Sequence, residues 1–401
     1  MTKPVSHAGH PTLQMVADLA KVSRETVSHI LGGKRADRYR ESTRQRVEQI
    51  ARDLNYRPHR GAQMMKSGRS NLIAIVHFGA GIEAARKTNQ TLARMLQETG
   101  YDYLAVDMNW HDGNVDRTIA ELIRSRVEGI LISHIQTVFE DEHINDLLRA
   151  GIPVVLVNGE RRRNAPLVSN NATDAVEEMT GHLFASGHRR ILQLMEGFSR
   201  LPATQRPLSW SQRVTGFQRA CQRHGTWTLL PEEEFFASWP RWAAERRSGL
   251  RGVTVEQDAK LYAAVDKPVY RLCSRLFSRG PLPDAIVCRN DFYAMEAIAA
   301  GLEHGIAIPQ DVAITGYDND RIGSFPAFGI TTAEQDIEKI CAEAMRLLLQ
   351  RLKNPQAPMP REVLFPSRLI LRASSAAEAA GNARSSGGTR KISSGKQDAV
   401  R

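Results

Sequence analysis

Cysteine is scarce: the chain has four, Cys221, Cys273, Cys288 and Cys341, far apart and with no CxxC pair. That argues against a zinc ribbon or a disulfide framework. No stretch approaches 18 apolar residues, and the N-terminus has no signal-type apolar segment. A membrane span is therefore not expected, and a reducing cytoplasm is the expected location. The motifs GxSxG, HExxH and GxxxxGK[ST] are missing, so the commonest hydrolase, metalloprotease and phosphate-loop chemistries lack their residues. No repeat of solenoid length is present. The expectation is a protein that is not an enzyme and needs no cofactor or metal.

What is present is length and an uneven charge. At 401 residues the chain suits two to four domains and needs no staple to build a core. Residues 1–70 carry fourteen Lys and Arg against six Asp and Glu, and residues 372–401 carry six against two. The stretch between is close to neutral. A basic head on a near-neutral body suggests a polyanion-binding module beside a separate globular unit.

The pattern along the chain divides the same way. Residues 1–11 read as a disordered arm. Residues 12–58 show three short helical patterns and no strand. Residues 59–70 read as a linker. From 71 to 371, short β-branched runs alternate with amphipathic helices. The strand candidates are Leu72–Phe78, Tyr103–Asp107, Gly129–Ser133, Pro153–Asn158, Ile191–Met195, Ala285–Cys288 and Val312–Gly316. Helices are expected between them, among them Gln90–Thr99, Val115–Ser125, Asp174–Ser186 and Tyr293–His304. Such alternation predicts an α/β body with doubly wound parallel sheets, and 300 residues are too many for one sheet. Two lobes with a cleft follow. Residues 372–401, rich in Ser, Gly, Ala and Arg, read as a disordered basic tail.

In the head, Thr12 can cap a helix LQMVADLA with Leu13, Val16, Ala17 and Ala20 inward. After Lys21-Val22, Ser23 can cap RETVSHIL, with Val27, Ile30 and Leu31 inward. A third helix is expected from Ser42 or Thr43 to Leu54, with Val47, Ile50 and Leu54 inward. The first two form a helix-turn-helix. The second helix presents Arg24, Glu25, Ser28 and His29 outward near its N-terminal end, which recognition helices set against base edges. Arg24 can fork onto a guanine and Glu25 can accept from a cytosine amino group. Ser23, Thr26 and Ser28 are short hydroxyls suited to phosphates.

TLQMVADLAKVSRETVSHIL followed by TRQRVEQIARDLNYRPHRGAQMMKSGR resembles the DNA-binding head of the LacI/GalR (lactose-repressor) family. The body agrees through GIPVVLVN (151–158), GHRRI (187–191), Arg213 with Gly216-Phe217, Asn290-Asp291, and Gly316-Tyr317-Asp318. The resemblance spans about residues 12–371. It implies a helix-turn-helix head, a hinge and a two-lobed periplasmic-binding-protein-like body. It also implies a homodimer on a pseudo-palindromic double-stranded operator, acting as a regulator, expected to be a repressor, and switched by a small-molecule effector such as a sugar or sugar acid. By resemblance, DNA is met by Thr12, Ser23, Arg24, Glu25, Thr26, Ser28, His29, Thr43, Tyr56, His59, Ala62, Gln63 and Met65. The last three lie in a hinge segment at about 60–66, where Met65 stands in place of the usual wedging leucine. The effector contacts are Arg213, Asn290 and Asp318, then Asn158, with Trp210 and Phe292 as candidates for a stacking surface.

Departures from the family are the loop 32–42, about two residues longer than usual, Asn170-Asn171 where Asp-Asn is common, and an expanded segment 229–268. The tail lacks a leucine heptad, so a dimer is expected rather than a coiled-coil tetramer. Asp291 reads as a residue that holds its own loop together. One alternative competes: Gly79-Ala80-Gly81-Ile82-Glu83-Ala84 after a strand, with Asp107 ending the next, outlines a dinucleotide site. That would make the chain an NAD-binding redox sensor or oxidoreductase.

Overall fold

The computed structural model describes residues 11–32, 36–57, 64, 68–77, 83–108, 115–134, 139–195, 207–224, 268–279 and 282–376. The chain divides into two compact units, one ending at Leu72 and including 126–128, the other holding the rest. Outside the described residues lie most of the N-terminal arm, the hinge with His59, Ala62, Gln63 and Met65, and the glycines of the dinucleotide outline. Nearly all of 229–268 and of the basic tail lie outside them too.

The first unit is built on three helices, α1 (Leu13–Ala20), α2 (Arg24–Leu31) and α3 (Glu41–Asp53). Thr12 Oγ1 accepts from Met15 N at 3.3 Å, and Ser23 Oγ from Thr26 N at 3.1 Å, so both expected caps form. Lys21 ends α1 in the left-handed region at φ 54, which turns the chain sharply into α2. Helical spacing puts Val16, Ala17, Ala20, Val27, Ile30, Val47 and Ala51 into one buried cluster. Leu13, Val22, Leu31, Tyr39, Ile50, Leu54 and Tyr56 close around it. Each fully buried aliphatic side chain here contributes about 1.5–3 kcal/mol, enough to hold so small a unit together. The third helix starts earlier than its sequence suggests. Glu41, not Ser42 or Thr43, opens it, because its carboxylate binds Arg44 and Gln45 one turn on.

The second unit has two lobes. In one, β1 (Leu72–His77), β2 (Asp102–Asp107), β3 (Gly129–Ser133), β4 (Val154–Val157), β5 (Leu167–Asn171) and β10 (Glu362–Pro366) form a sheet in the order β10-β5-β4-β3-β1-β2. β1 pairs with β3, β3 with β4, β4 with β5 and β5 with β10, all in parallel. Its helices are α4 (Glu83–Glu98), α5 (Val115–Arg124), α6 (Asp141–Arg149) and α11 (Ile337–Lys353). Ile73, Ile75, Leu131, Val155 and Val168 from the sheet pack with Leu92 and Leu96 of α4 and with Ile340, Cys341, Ala344 and Leu348 of α11. In the other lobe, β6 (Ile191–Leu194), β7 (Ala285–Cys288) and β8 (Ala313–Thr315) pair in parallel, and β9 (Thr332–Glu334) pairs antiparallel with β11 (Arg368–Ile370). Its helices are α7 (Thr173–Ala185), α8 (Leu208–His224), α9 (Pro268–Arg279) and α10 (Asp291–Glu303). Leu192, Val269, Cys273, Ile286, Cys288, Ala297 and Ile314 form one core there, and Val176, Leu183, Phe217, Val287 and Tyr317 belong to a second.

All seven expected strands appear within a residue or so of the expected ends. β5, β9, β10 and β11 have no counterpart among the sequence candidates, and α4 begins seven residues before Gln90. The body also runs past 371. Ser374 and Ser375 are buried, Ser374 Oγ accepts from Thr331 N at 2.9 Å, and Arg372 Nη2 donates to Asn319 Oδ1 at 2.6 Å. A Ser-rich, low-hydropathy segment looks disordered in sequence, yet here its hydroxyls complete the hydrogen bonding of residues 314–331.

Candidate functional site

Two surfaces carry the expected residues, and each belongs to its own unit. On the head, the first turn of α2 points Ser23, Arg24 and Glu25 outward, while Thr26 and Ser28 are half-buried. Ser23 and Thr26 hydroxyls lie 2.9 Å apart. Capping uses an oxygen lone pair and leaves a hydroxyl proton to donate, so a cap can also meet a phosphate. Thr12 is exposed, and Thr43 and Tyr56 are half-buried or nearly so. Burial pushes the Tyr56 phenol up, partly offset by the nearby charge of Arg24. His29 is not the outward residue that its position suggests. Its Nδ1 lies 2.9 Å from Tyr39 Oη and its Nε2 3.8 Å from Glu25 Oε1, so the imidazole links the helix to the following loop.

In the body, the C-terminal ends of the strands open onto the crevice between the lobes, the place where open α/β sheets bind ligands. Three crevice residues follow strand ends with positive φ: His134 after β3 (54°), Asn158 after β4 (49°) and Asp318 shortly after β8 (97°). For residues with a Cβ this is strained backbone, which the surrounding structure must hold. Asp318 is the centre. Its Oδ1 accepts from Arg213 Nη2 at 3.2 Å and from Gln335 Nε2 at 2.6 Å. Gln335 Oε1 in turn accepts from Asn158 Nδ2 at 3.1 Å, and Asn158 Oδ1 accepts from Ser169 Oγ and Asn170 N, each at 3.2 Å. Arg213 also donates through Nη1 to the Arg289 carbonyl and lies 3.8 Å over the Tyr317 ring, and its buried Nε has no hydrogen-bond partner among the described residues.

Local chemistry explains the motifs. Gly216, one turn after Arg213, sits where any Cβ would overlap the Thr173 carbonyl and stand 3.0 Å from Glu177 N, so α8 can lie directly on α7. Gly316 likewise leaves room for Asp291, whose Oδ2 accepts from Asp320 N at 2.7 Å. Asp291 thus ties α10 to the neighbouring loop that carries Asp318, where the sequence suggested that it holds its own loop together. Burial, with the charges of Asp318 and Asp320, raises its carboxyl to about 8. Thr332 and the Asp320 amide ease that charge, but Oδ1 is left without a well-formed hydrogen bond. Asp320 is raised to about 6 by its own burial and by Asp318. His134 is lowered to about 4, chiefly by burial, so it is a neutral imidazole in the crevice.

Of the expected effector contacts, Arg213, Asn290 and Asp318 converge here. Asn290 caps α10, its Oδ1 accepting from Tyr293 N at 3.0 Å. Asn158 is buried and commits its amide to Gln335, Ser169 and Asn170, so it joins the lobes more than it faces a ligand. Trp210 lies under the Arg289 guanidinium at 4.5 Å from the ring centroid, so that face is already covered. Phe292 stands exposed on the first turn of α10. Gln335, His134, Tyr317 and Lys87, whose Nζ donates to the Asn319 carbonyl at 3.0 Å, escaped the sequence reading. Gln335 follows the short polar strand Thr332–Glu334 and has no periodic context that would single it out.

Comparison with known proteins matches this arrangement in order. Residues 12–59 match the family model for bacterial regulatory proteins of the lacI family, and 86–234 the one for periplasmic binding proteins and sugar binding domain of the LacI family. Residues 180–375 match a periplasmic binding protein-like domain.

The chain carries a LacI-family helix-turn-helix domain and a periplasmic-binding-protein-like domain.

The chain is 28% identical over 378 residues to the HTH-type transcriptional regulator PtxS of Pseudomonas plecoglossicida, covering 93% of this chain and 98% of that one. It is 25% identical over 343 residues to the HTH-type transcriptional repressor PurR of Haemophilus influenzae, covering 85% and 91%. The crystal structure of the lac repressor dimer bound to operator and the anti-inducer ONPF superposes with a TM-score of 0.68 at 20% identity, over 92% of this chain and all of the other. The fold is therefore the LacI one: helix-turn-helix head and periplasmic-binding-protein-like body. The protein is a DNA-binding transcriptional regulator of that type. The dinucleotide alternative has no support in these matches. No helix among the described residues is long and apolar enough to cross a membrane.

Proposed function

We propose that this regulator is a ligand-switched repressor without catalytic activity, working in the cytoplasm. As a homodimer it sets two copies of α2 on the half-sites of a pseudo-palindromic operator. A small polyhydroxy or carboxylated molecule in the inter-lobe crevice changes its operator affinity. The observation that carries this reading is the pairing, in one chain, of an exposed Arg24–Glu25 turn on a capped second helix with a crevice built on Arg213, Asn290 and Asp318. Arg24 reads a base edge, Glu25 its neighbour, and Thr12, Ser23, Thr26, Ser28, Thr43 and Tyr56 meet the backbone. His29 positions the reading helix through Tyr39. The hinge residues His59, Ala62, Gln63 and Met65 belong to the same reading, with Met65 as the wedge. In the crevice, Arg213 donates to hydroxyl or carboxylate oxygens of the effector, Asp318 accepts from its hydroxyls and Asn290 orients it.

The test is selection of bound fragments from genomic DNA by the purified protein, followed by footprinting. A two-fold symmetric protected site is expected. Arg24→Ala then relaxes the preference at one base pair per half-site by about 1–3 kcal/mol. Protein that retains no fragment above background refutes the operator reading, and an unchanged base preference in the variant removes Arg24 from its role.

A further inference from the structure

The chain crosses between the lobes three times: between β5 and α7, between β9 and α11, and between β10 and β11. Side chains at all three crossings reach two adjacent residues, Tyr317 and Asp318. Gln335, at the second crossing, donates to Asp318. Asn170, at the end of β5, donates through Nδ2 to Tyr317 Oη at 2.8 Å. Ser367, between β10 and β11, lies with its Oγ 2.7 Å from the same Tyr317 oxygen. An amide nitrogen has only protons to give, so the phenol accepts from Asn170, while either hydroxyl can be the donor between Tyr317 and Ser367. Tyr317 is fully buried, and burial raises its phenol to about 12, so it stays neutral. Its ring lies under the Arg213 guanidinium, in a buried cation–π contact.

We propose that Tyr317 is the positioning residue that couples the effector-facing Arg213–Asp318 pair to the inter-lobe crossings. This rests on the reading of the crevice as the effector site. A group that shifts Arg213 moves the ring beneath it, and the hydroxyl carries that shift to the first and third crossings while Asp318 carries it to the second. Nothing about the effector's identity enters, so the coupling is testable without it.

The test uses the full chain and Tyr317→Phe, which keeps the ring and its contact with Arg213 and removes only the hydroxyl. Spin labels at Asp146→Cys in one lobe and Glu303→Cys in the other, on exposed helical surfaces, report the inter-lobe distance by pulsed resonance. A control carrying Asn170→Ala removes the other end of the first link. The expected result is a wider or shifted distance distribution in both variants, no further change when they are combined, and at least a fivefold change in affinity for the operator fragment retained by the wild type. A distribution and an affinity matching the wild type, with affinity within twofold, overturn the proposal. A changed distribution at unchanged operator affinity also overturns it, because coupling is its content. A wild type that retains no fragment instead defeats the operator reading, and the distance measurement alone then decides whether the hydroxyl holds the lobes. If Tyr317→Phe lowers stability, Ser367→Ala with Asn170→Ala severs the same links with the phenol intact and must reproduce the effect.

Discussion

Replacing Asp291 by Asn isolates one proton. The carboxyl is fully buried, its Oδ2 accepts from Asp320 N, and its pKa stands at about 8 against an ordinary 3.8. A raised carboxyl means that the folded protein keeps a proton that the unfolded chain releases. Its stabilisation is complete below the unfolded value and is lost as pH rises through 8. His134 works in the opposite sense. It is lowered to about 4 from 6.5, so its contribution is lost as pH falls below 6.5. The two oppose one another between 4 and 6.5. Asp320, at about 6, has finished titrating near the top of that range. The buried Cys221 thiol, at about 11, departs from an ordinary value of 9.0 and acts only above the range of interest. Between pH 6.5 and 8 the difference in slope between wild type and Asp291→Asn isolates Asp291 from the raised Asp320 and Glu160 and the lowered His188. One proton over that interval with a pKa near 8 costs about 1.6 kcal/mol. For a body of about 300 residues that is a fall of roughly 2–3 °C in melting temperature. The assay is scanning calorimetry of the full chain at four pH values from 6.5 to 8. Wild type should lose stability steadily and Asp291→Asn should be nearly flat. Parallel slopes in the two proteins refute the assignment of the proton to Asp291.

Two further outcomes follow from the packing and the crevice. Gly216→Ala forces a methyl into the Thr173 carbonyl, and separating α7 from α8 should cost about 1–3 kcal/mol, read as a lower denaturant midpoint. A midpoint equal to wild type would show that the helices are not held that close. Asp318→Asn leaves the Arg213 charge buried without its carboxylate and should cost about 3 kcal/mol, part of which returns in the double variant Arg213→Met, Asp318→Asn. Strictly additive losses would show that the two side chains do not interact.

Much of this protein is legible in its sequence because the deciding signals are local. The head follows from helical spacing of Val16, Ala17, Ala20, Val27, Ile30 and Val47 and from two hydroxyl caps, all within a few residues of their partners. The apolar runs of β1, β3, β4, β6, β7 and β8 stand out because they are buried on both faces. The missed strands lack that signal. β10, Glu-Val-Leu-Phe-Pro, ends in Pro, lies at the sheet edge and is only partly buried. β9 and β11 are three residues each. The first turns of α4, Glu-Ala-Ala-Arg-Lys-Thr-Asn, carry small and charged residues whose burial depends on neighbours far along the chain.

The crevice divides in the same manner. Arg213, Asn290 and Asp318 could be named because the motifs around them resemble those of the LacI/GalR family. That Asn158 is committed to Gln335, that Trp210 lies under Arg289, and that Tyr317 meets Asn170 and Ser367 depend on residues 50 to 177 positions apart. By itself the sequence determined the order of the units, their secondary structure and the polar residue types available to each site, since propensity, capping and periodicity act over one or two turns. Only the tertiary structure decided which polar groups spend their hydrogen bonds on one another and which keep one for a ligand. Burial and dielectric are properties of the packed crevice, set by every chain segment that enters it, and no segment carries them alone.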